Sequence, residues 1–170
     1  WLKKGYHVYA VTSSPENIPA LAAEGFSATV ADVLEPKSLG NLPGCDILLY
    51  CVGPSGRHSI SRWALYRDGL ARVLEKITPD VSQIALASST GVYGNCPNGW
   101  IDEHTAKAPE RESSQALSAA EDLLLDRRWQ DRAFVFRLGG LYGPNRIPLL
   151  SQLLREEPLP TSPDALLNLI

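Results

Sequence analysis

Ser88-Ser89-Thr90-Gly91-Val92-Tyr93-Gly94 follows the apolar run Ile84-Ala85-Leu86-Ala87. The run reads as a buried strand, and the hydroxyls at its end lead into a turn punctuated by glycine. A strand that ends this way builds a site at the carboxyl edge of an α/β sheet.

Working outward, short apolar runs alternate with helical patterns. Tyr6 to Val11 reads as a strand, Ile18 to Glu24 as a helix closed by Gly25, and Phe26 to Ala31 as a second strand. A helix start near Pro36 to Leu42 precedes the third strand, Asp46 to Gly53. That strand is almost continuously apolar, as strands covered on both faces are. Ile60, Trp63, Tyr66, Leu70, Val73 and Ile77 recur at spacings of three and four, which predicts one inward helical face. Gln83 to Ser89 is the fourth strand and Asn95 to Arg111 an irregular loop. Ser113 to Trp129 predicts a second long helix with Leu117, Ala120, Leu123 and Leu124 inward. Ala133 to Leu138 is the fifth strand, and Ile147 to Arg155 reads as helical. Strands separated by helices mean an α/β fold with a largely parallel sheet. The segments that follow the third, fourth and fifth strands then form the rim of the site.

Composition bounds the function. The chain has 170 residues, 44% hydrophobic and 21% charged, with a net charge of −3. This suits one soluble domain and argues against nucleic acid or membrane as a partner. No apolar run approaches the ~20 residues of a membrane span. Cys45, Cys51 and Cys96 match neither a disulfide framework nor a zinc spacing. They point to a cytoplasmic protein, with Cys51 read as a small hydrophobe buried in the third strand.

The motifs resemble the extended short-chain dehydrogenase/reductase family, of the NAD-dependent epimerase/dehydratase type. The resemblance rests on Ala31-Asp32-Val33, Ser88 to Gly94, Trp100-Ile101-Asp102-Glu103-His104, Ala119-Ala120-Glu121 and Arg137-Leu138-Gly139-Gly140-Leu141-Tyr142-Gly143-Pro144, in that order. It implies a Rossmann-like doubly wound parallel sheet over residues 1–145 and the start of a substrate-binding region over 146–170. It also implies a small-molecule substrate, nucleotide-sugar-like in kind, and a homodimer. By position it implies cofactor contacts at Asp32, Val33, Val52, Gly53, Gly139 and Gly140. Ser89, with Thr90 and Tyr93 beside it, takes the place of the active-site hydroxyls, and Glu103, Tyr142 and Arg146 face the substrate. Each also has a plainer reading: Asp32 as a turn cap, Ser89 satisfied by nearby backbone, Tyr93 as packing.

The chain departs from the family in two ways. The family's Tyr-x-x-x-Lys pair, in which an ammonium lowers the phenol pKa, falls at Ser113 and Leu117, and the relay asparagine falls at Tyr66. This matches an atypical subgroup that lacks the pair. No G-x-G-x-x-G occurs, and Trp1-Leu2-Lys3-Lys4-Gly5 reads as a helix end capped by Gly5. The chain thus reads as starting about 20–25 residues into such a fold, without its first strand and glycine-rich turn. That strand is central in the family's order, so a gap in the sheet is expected. Leu166 to Ile170 reads as a further strand at the other end.

At the end of the first visible strand, Thr12 and Ser13 stand where an acid would select NAD, which leans the choice between NAD and NADP toward NADP. Three functions stay open: an NAD(P)-dependent oxidoreductase or isomerase, a dinucleotide-binding sensor without chemistry, and an inactive truncated relative.

Overall fold

A computed structural model describes residues 1–54, 59–77, 80–95, 100–143, 147 and 150–158. Arg146, Cys96, the 145/146 boundary and the strand expected at Leu166 to Ile170 lie outside the described residues. Five strands and four helices are described: β1 (Tyr9–Thr12), α1 (Ile18–Ala23), β2 (Ser27–Val30), β3 (Ile47–Tyr50), α2 (Gly69–Lys76), β4 (Gln83–Ser89), α3 (Glu112–Leu124), β5 (Ala133–Leu138) and α4 (Leu150–Leu154). All strand pairings are parallel, so within each sheet the carboxyl ends collect along one edge. The fold is α/β with a Rossmann-like arrangement.

The strands form two pieces. β1 pairs with β2, and β3-β4-β5 form a separate three-stranded sheet. Among the described residues β1 and β3 make no ladder, and the sheet is interrupted where the sequence leads one to expect a gap. Gly5 has φ 82° and donates its N–H to the Leu2 carbonyl, and Gly25 has φ 94°, so both fill left-handed turn positions.

Alternation along the three-stranded sheet sends Tyr50, Ile84, Leu86 and Val135 toward the core, where they meet Leu65, Leu70, Val73, Leu74, Ala120 and Leu124. The opposite face carries Leu49 (52% exposed), Phe134 (47%) and Phe136 (51%), aligned through the Leu49–Ala85–Phe134 register. Cys51 is exposed and lies just past β3. The expectation that it is buried is therefore corrected, because alternation past Tyr50 places it with Leu49 on the face that no described element covers.

The helix leading into α2 also corrects the sequence reading. A π-helical turn, Ala64–Asp68, inserts an extra residue ahead of Gly69–Lys76. The phase shifts with it: Leu65, Gly69, Leu70, Val73 and Leu74 are buried, while Trp63, expected inside, is 40% exposed. The cause is visible at Tyr50. Its hydroxyl donates to the Leu65 carbonyl at 2.6 Å within the buried interior, and so occupies an acceptor in the helical ladder. Burial raises the Tyr50 phenol pKa well above its ordinary value. Gly69 gives the ring room, since a Cβ there would sit 2.5 Å from the Tyr50 hydroxyl and 2.9 Å from Val33 Cγ2.

On α3 the inward face is also more polar than its pattern predicts. Ala120 and Leu124 are fully buried as expected, but Ser114, Ser118 and Glu121 join them, and Leu117 and Leu123 are only half-buried. The helix ends at Leu124, so Trp129 lies beyond it, buried, with the guanidinium carbons of Arg128 and Arg132 4.6 and 4.9 Å from its ring centroid.

The close fit of Gly69 and Tyr50 predicts a coupling. Gly69→Ala will destabilise the chain in urea unfolding, and Tyr50→Phe will cost about 1–3 kcal/mol by leaving a buried carbonyl unpaired. In the Tyr50→Phe background the Gly69→Ala penalty will shrink, because the clashing oxygen is gone; equal penalties in both backgrounds would place the strain elsewhere.

Candidate functional site

The turn after β4 is built by its own small residues. Ser89 caps the 3-10 turn Thr90–Tyr93, and its Oγ accepts from the Gly91 N–H at 3.1 Å. Gly91 is needed because the turn packs on the first turn of α3: a Cβ would come within 2.8 Å of Ser114 Oγ. Gly94 closes the turn at φ 69°, ψ −150°, a region open to glycine, with the Ala108 carbonyl where a Cβ would go. Ala108 N–H donates to the Val92 carbonyl at 3.0 Å, so the long loop returns onto this turn.

Beneath the turn lies a charged network. Glu121 is fully buried, and its carboxylate accepts from the Ser88 hydroxyl at 2.6 Å and from Arg137 Nη2 at 2.8 Å and Nε at 3.2 Å. Lys107 Nζ lies 3.4 Å from the same carboxylate and donates to the Ser118 carbonyl at 3.1 Å. Arg137 stands directly across the ladder from Ser88, which sets the strand register at the site. Its Nη1 donates to the Tyr93 hydroxyl at 2.7 Å, and Tyr93 in turn donates to the Asp102 carbonyl at 2.7 Å. The hydrogen bonds to Glu121 raise the Arg137 pKa further above its already high ordinary value. A buried ion of either sign is costly alone, and here each has its partner.

The expected site residues fall into three groups. Ser89 and Thr90 stand half-buried at the carboxyl end of β4, and among the described residues the Ser89 O–H finds no acceptor. Tyr93 lies in the interior, 6% exposed, with its hydroxyl engaged on both sides, so its geometry is that of a packing and linking residue. Glu103 and Tyr142 are exposed on the loops after β4 and β5. Asp102 folds its own loop: its carboxylate accepts from the Thr105 hydroxyl and the His104 N–H, which hold its pKa below the ordinary value.

At the expected cofactor positions the fit is partial. Thr12, Ser13, Asp32, Val52, Gly53, Gly139 and Gly140 all lie at or just past the strands' carboxyl ends. Gly53 is open, since a Cβ there meets nothing within 4 Å, which suits a close-lying ligand. Thr12 Oγ1 accepts from the Ser14 N–H and the Asn17 amide, and the Asp32 carboxylate accepts from the Leu34 N–H, so both also shape their own turns. Val33 is a departure: it is buried at 8% beneath the rim, and its carbonyl accepts from Arg72 at 2.9 Å. Among the described residues no glycine-rich turn opens a helix to cradle a pyrophosphate. No group of His, Cys, Asp or Glu suited to a metal ion occurs among them either.

Glu121 and Arg137 escaped the sequence reading as functional-site residues. Their signal was an acid on a helical face otherwise lined with Ala and Leu, and a base inside Phe136-Arg137-Leu138. Two opposite charges at inward positions ask for each other.

The network predicts that Glu121→Gln will lower stability by about 1–3 kcal/mol, because the partly buried Arg137 guanidinium loses its counter-charge. Ser88→Ala will cost about 1.5–3 kcal/mol. Urea unfolding at neutral pH checks both, and a Glu121→Gln variant as stable as the parent would refute the pairing argument.

No protein-family model matches the chain, and no curated protein matches it in sequence. Solved structures do. An NAD-dependent epimerase/dehydratase-type protein from Methylobacillus flagellatus is 28% identical, with a TM-score of 0.68 over 94% of this chain and 55% of its own. The dTDP-glucose 4,6-dehydratase of Bacillus anthracis, solved with NAD, is 17% identical at a TM-score of 0.68, over 96% of this chain and 57% of its own. The UDP-glucose 4-epimerase of Bifidobacterium longum, solved with NAD+ and UDP, is 20% identical at a TM-score of 0.67, over 84% of this chain and 48% of its own. The chain spans about half the length of these structures. Its structural neighbours are thus the NAD-dependent epimerases/dehydratases and related short-chain dehydrogenase/reductase enzymes, whose Rossmann-like fold it shares.

Proposed function

We propose that this chain forms the dinucleotide-binding part of an NAD(P)-dependent oxidoreductase or isomerase of the epimerase/dehydratase type, acting on a small nucleotide-sugar-like substrate. The observation that carries this reading is the Ser89 hydroxyl. Its oxygen accepts from the Gly91 N–H at 3.1 Å at the carboxyl end of β4. Its proton is left to donate to a substrate oxygen, and Thr90 adds a second hydroxyl beside it. Such a donor stabilises charge that develops on a carbonyl or hydroxyl oxygen. The nicotinamide cofactor, when bound, supplies hydride transfer. Thr12, Ser13 and Asp32 would hold its nucleoside end, and Val52, Gly53, Gly139 and Gly140 would line its path. The hydroxyls of Thr12 and Ser13 suit a 2′-phosphate, which favours NADP over NAD. Glu103, Tyr142 and Arg146 would contact the substrate from the loops after β4 and β5.

A second reading is a dinucleotide-binding sensor without chemistry. It is favoured by Ser113 and Leu117, which stand half-buried on α3 in place of a phenol and an ammonium. Without that pair, proton transfer rests on hydroxyls with no activating cation.

Calorimetric titration of the protein with NADH and NADPH tests both readings. Binding with turnover of nucleotide sugars supports the enzyme, and Ser89→Ala will then lower kcat about 10²-fold or more. Binding without turnover supports the sensor, and an unchanged rate in Ser89→Ala would make that hydroxyl a bystander. Failure to bind either dinucleotide in a chain extended before Trp1 by a first strand and glycine-rich turn would sink both.

A further inference from the structure

We propose that Arg137 and Tyr93 are positioning residues that latch the loop carrying Trp100 to Thr105 onto the end of the sheet, and that this latch sets substrate affinity. The observations concern two consecutive carbonyls of that loop. The Asp102 carbonyl accepts from the Tyr93 hydroxyl at 2.7 Å, and the Glu103 carbonyl accepts from Arg137 Nη1 at 3.4 Å. Both donors are rooted in the interior: Tyr93 is buried at the end of the β4 turn, and Arg137 is anchored through Nε and Nη2 on the buried Glu121 carboxylate.

A guanidinium is suited to this. Its planar fork presents five donors, so one edge grips the carboxylate while Nη1 reaches the phenol and the loop. The guanidinium carbon also lies 4.9 Å from the Tyr93 ring centroid, which fixes phenol and arginine as one unit. The loop's outward residues, Trp100, Ile101, Glu103 and His104, are exposed, and Trp100 is entirely so. The local Asp102–Thr105 bonds shape the loop, Lys107 and Ala108 tie its far end to α3 and to the β4 turn, and the latch holds its near part against the sheet. The part of the proposal that concerns substrate rests on the reading of this loop as a substrate wall. The latch itself does not.

Two variants separate the latch from the fold. Tyr93→Phe keeps the ring and removes the hydroxyl. Arg137→Lys keeps a cation beside Glu121, but a single ammonium cannot also span Tyr93 and the loop. Hydrogen exchange on the full chain reads the outcome at the amides of Asp102, His104 and Thr105. Each variant will speed their exchange about tenfold or more and leave β4 and α3 amides nearly unchanged. Unaltered loop exchange in both variants would overturn the proposal, as would an equal acceleration everywhere, which marks a general loss of stability. Where turnover is measurable, Tyr93→Phe will raise the substrate KM several-fold with kcat nearly kept and the dinucleotide Kd unchanged; an unchanged KM would remove the link to substrate. Altered loop exchange with dinucleotide binding but no turnover would retain the latch and refute the enzyme reading.

Discussion

A carboxylate with no access to water needs positive charge around it, and in this chain that requirement organises the end of the sheet. Glu121 draws Ser88 from β4, Arg137 from β5 and Lys107 from the long loop to one point on α3. Strand register, helix placement and the return of the loop are then one problem with one solution. The two cations also have a second attachment. Arg137 reaches Tyr93, and Lys107 reaches the Ser118 carbonyl and Asp122, so the pairing extends outward to the surface. The network specifies geometry more than it adds stability, since paired buried ions roughly offset their own desolvation.

The site edge inherits this order without taking part in it. Ser88 and Ser89 are neighbours in sequence, yet one hydroxyl serves the buried carboxylate and the other caps a turn at the rim. The first is structural, and its position leaves the second correctly placed. A strand ending in two hydroxyls therefore does two different jobs in successive residues, as the pleat requires.

Much of the architecture was legible in the residues. β4 and β5 lie where the apolar runs begin and end, and the left-handed turns fall on Gly5, Gly25 and Gly94. These signals are local: side-chain alternation and a glycine's freedom at positive φ do not depend on distant contacts. What failed was set by tertiary contact. The phase of the helix before α2 was misread because Tyr50, fourteen residues upstream of Ala64, reaches a carbonyl in its ladder. The inward face of α3 was misread because a periodicity count weighs apolar residues and passes over Glu121, whose burial depends on Arg137 sixteen residues away. At the site, the hydroxyl-rich turn was visible in the sequence, while the engagement of Tyr93 and the burial of Val33 depend on partners that no spacing rule names.

The open face of the three-stranded sheet has a thermodynamic consequence. Leu49, Phe134 and Phe136 are already wet in the native state, so unfolding hydrates less new apolar surface than in a typical chain of this length. The heat-capacity increment and the denaturant slope both scale with that newly hydrated area. This face therefore adds little to either quantity, and little to the curvature of the stability curve.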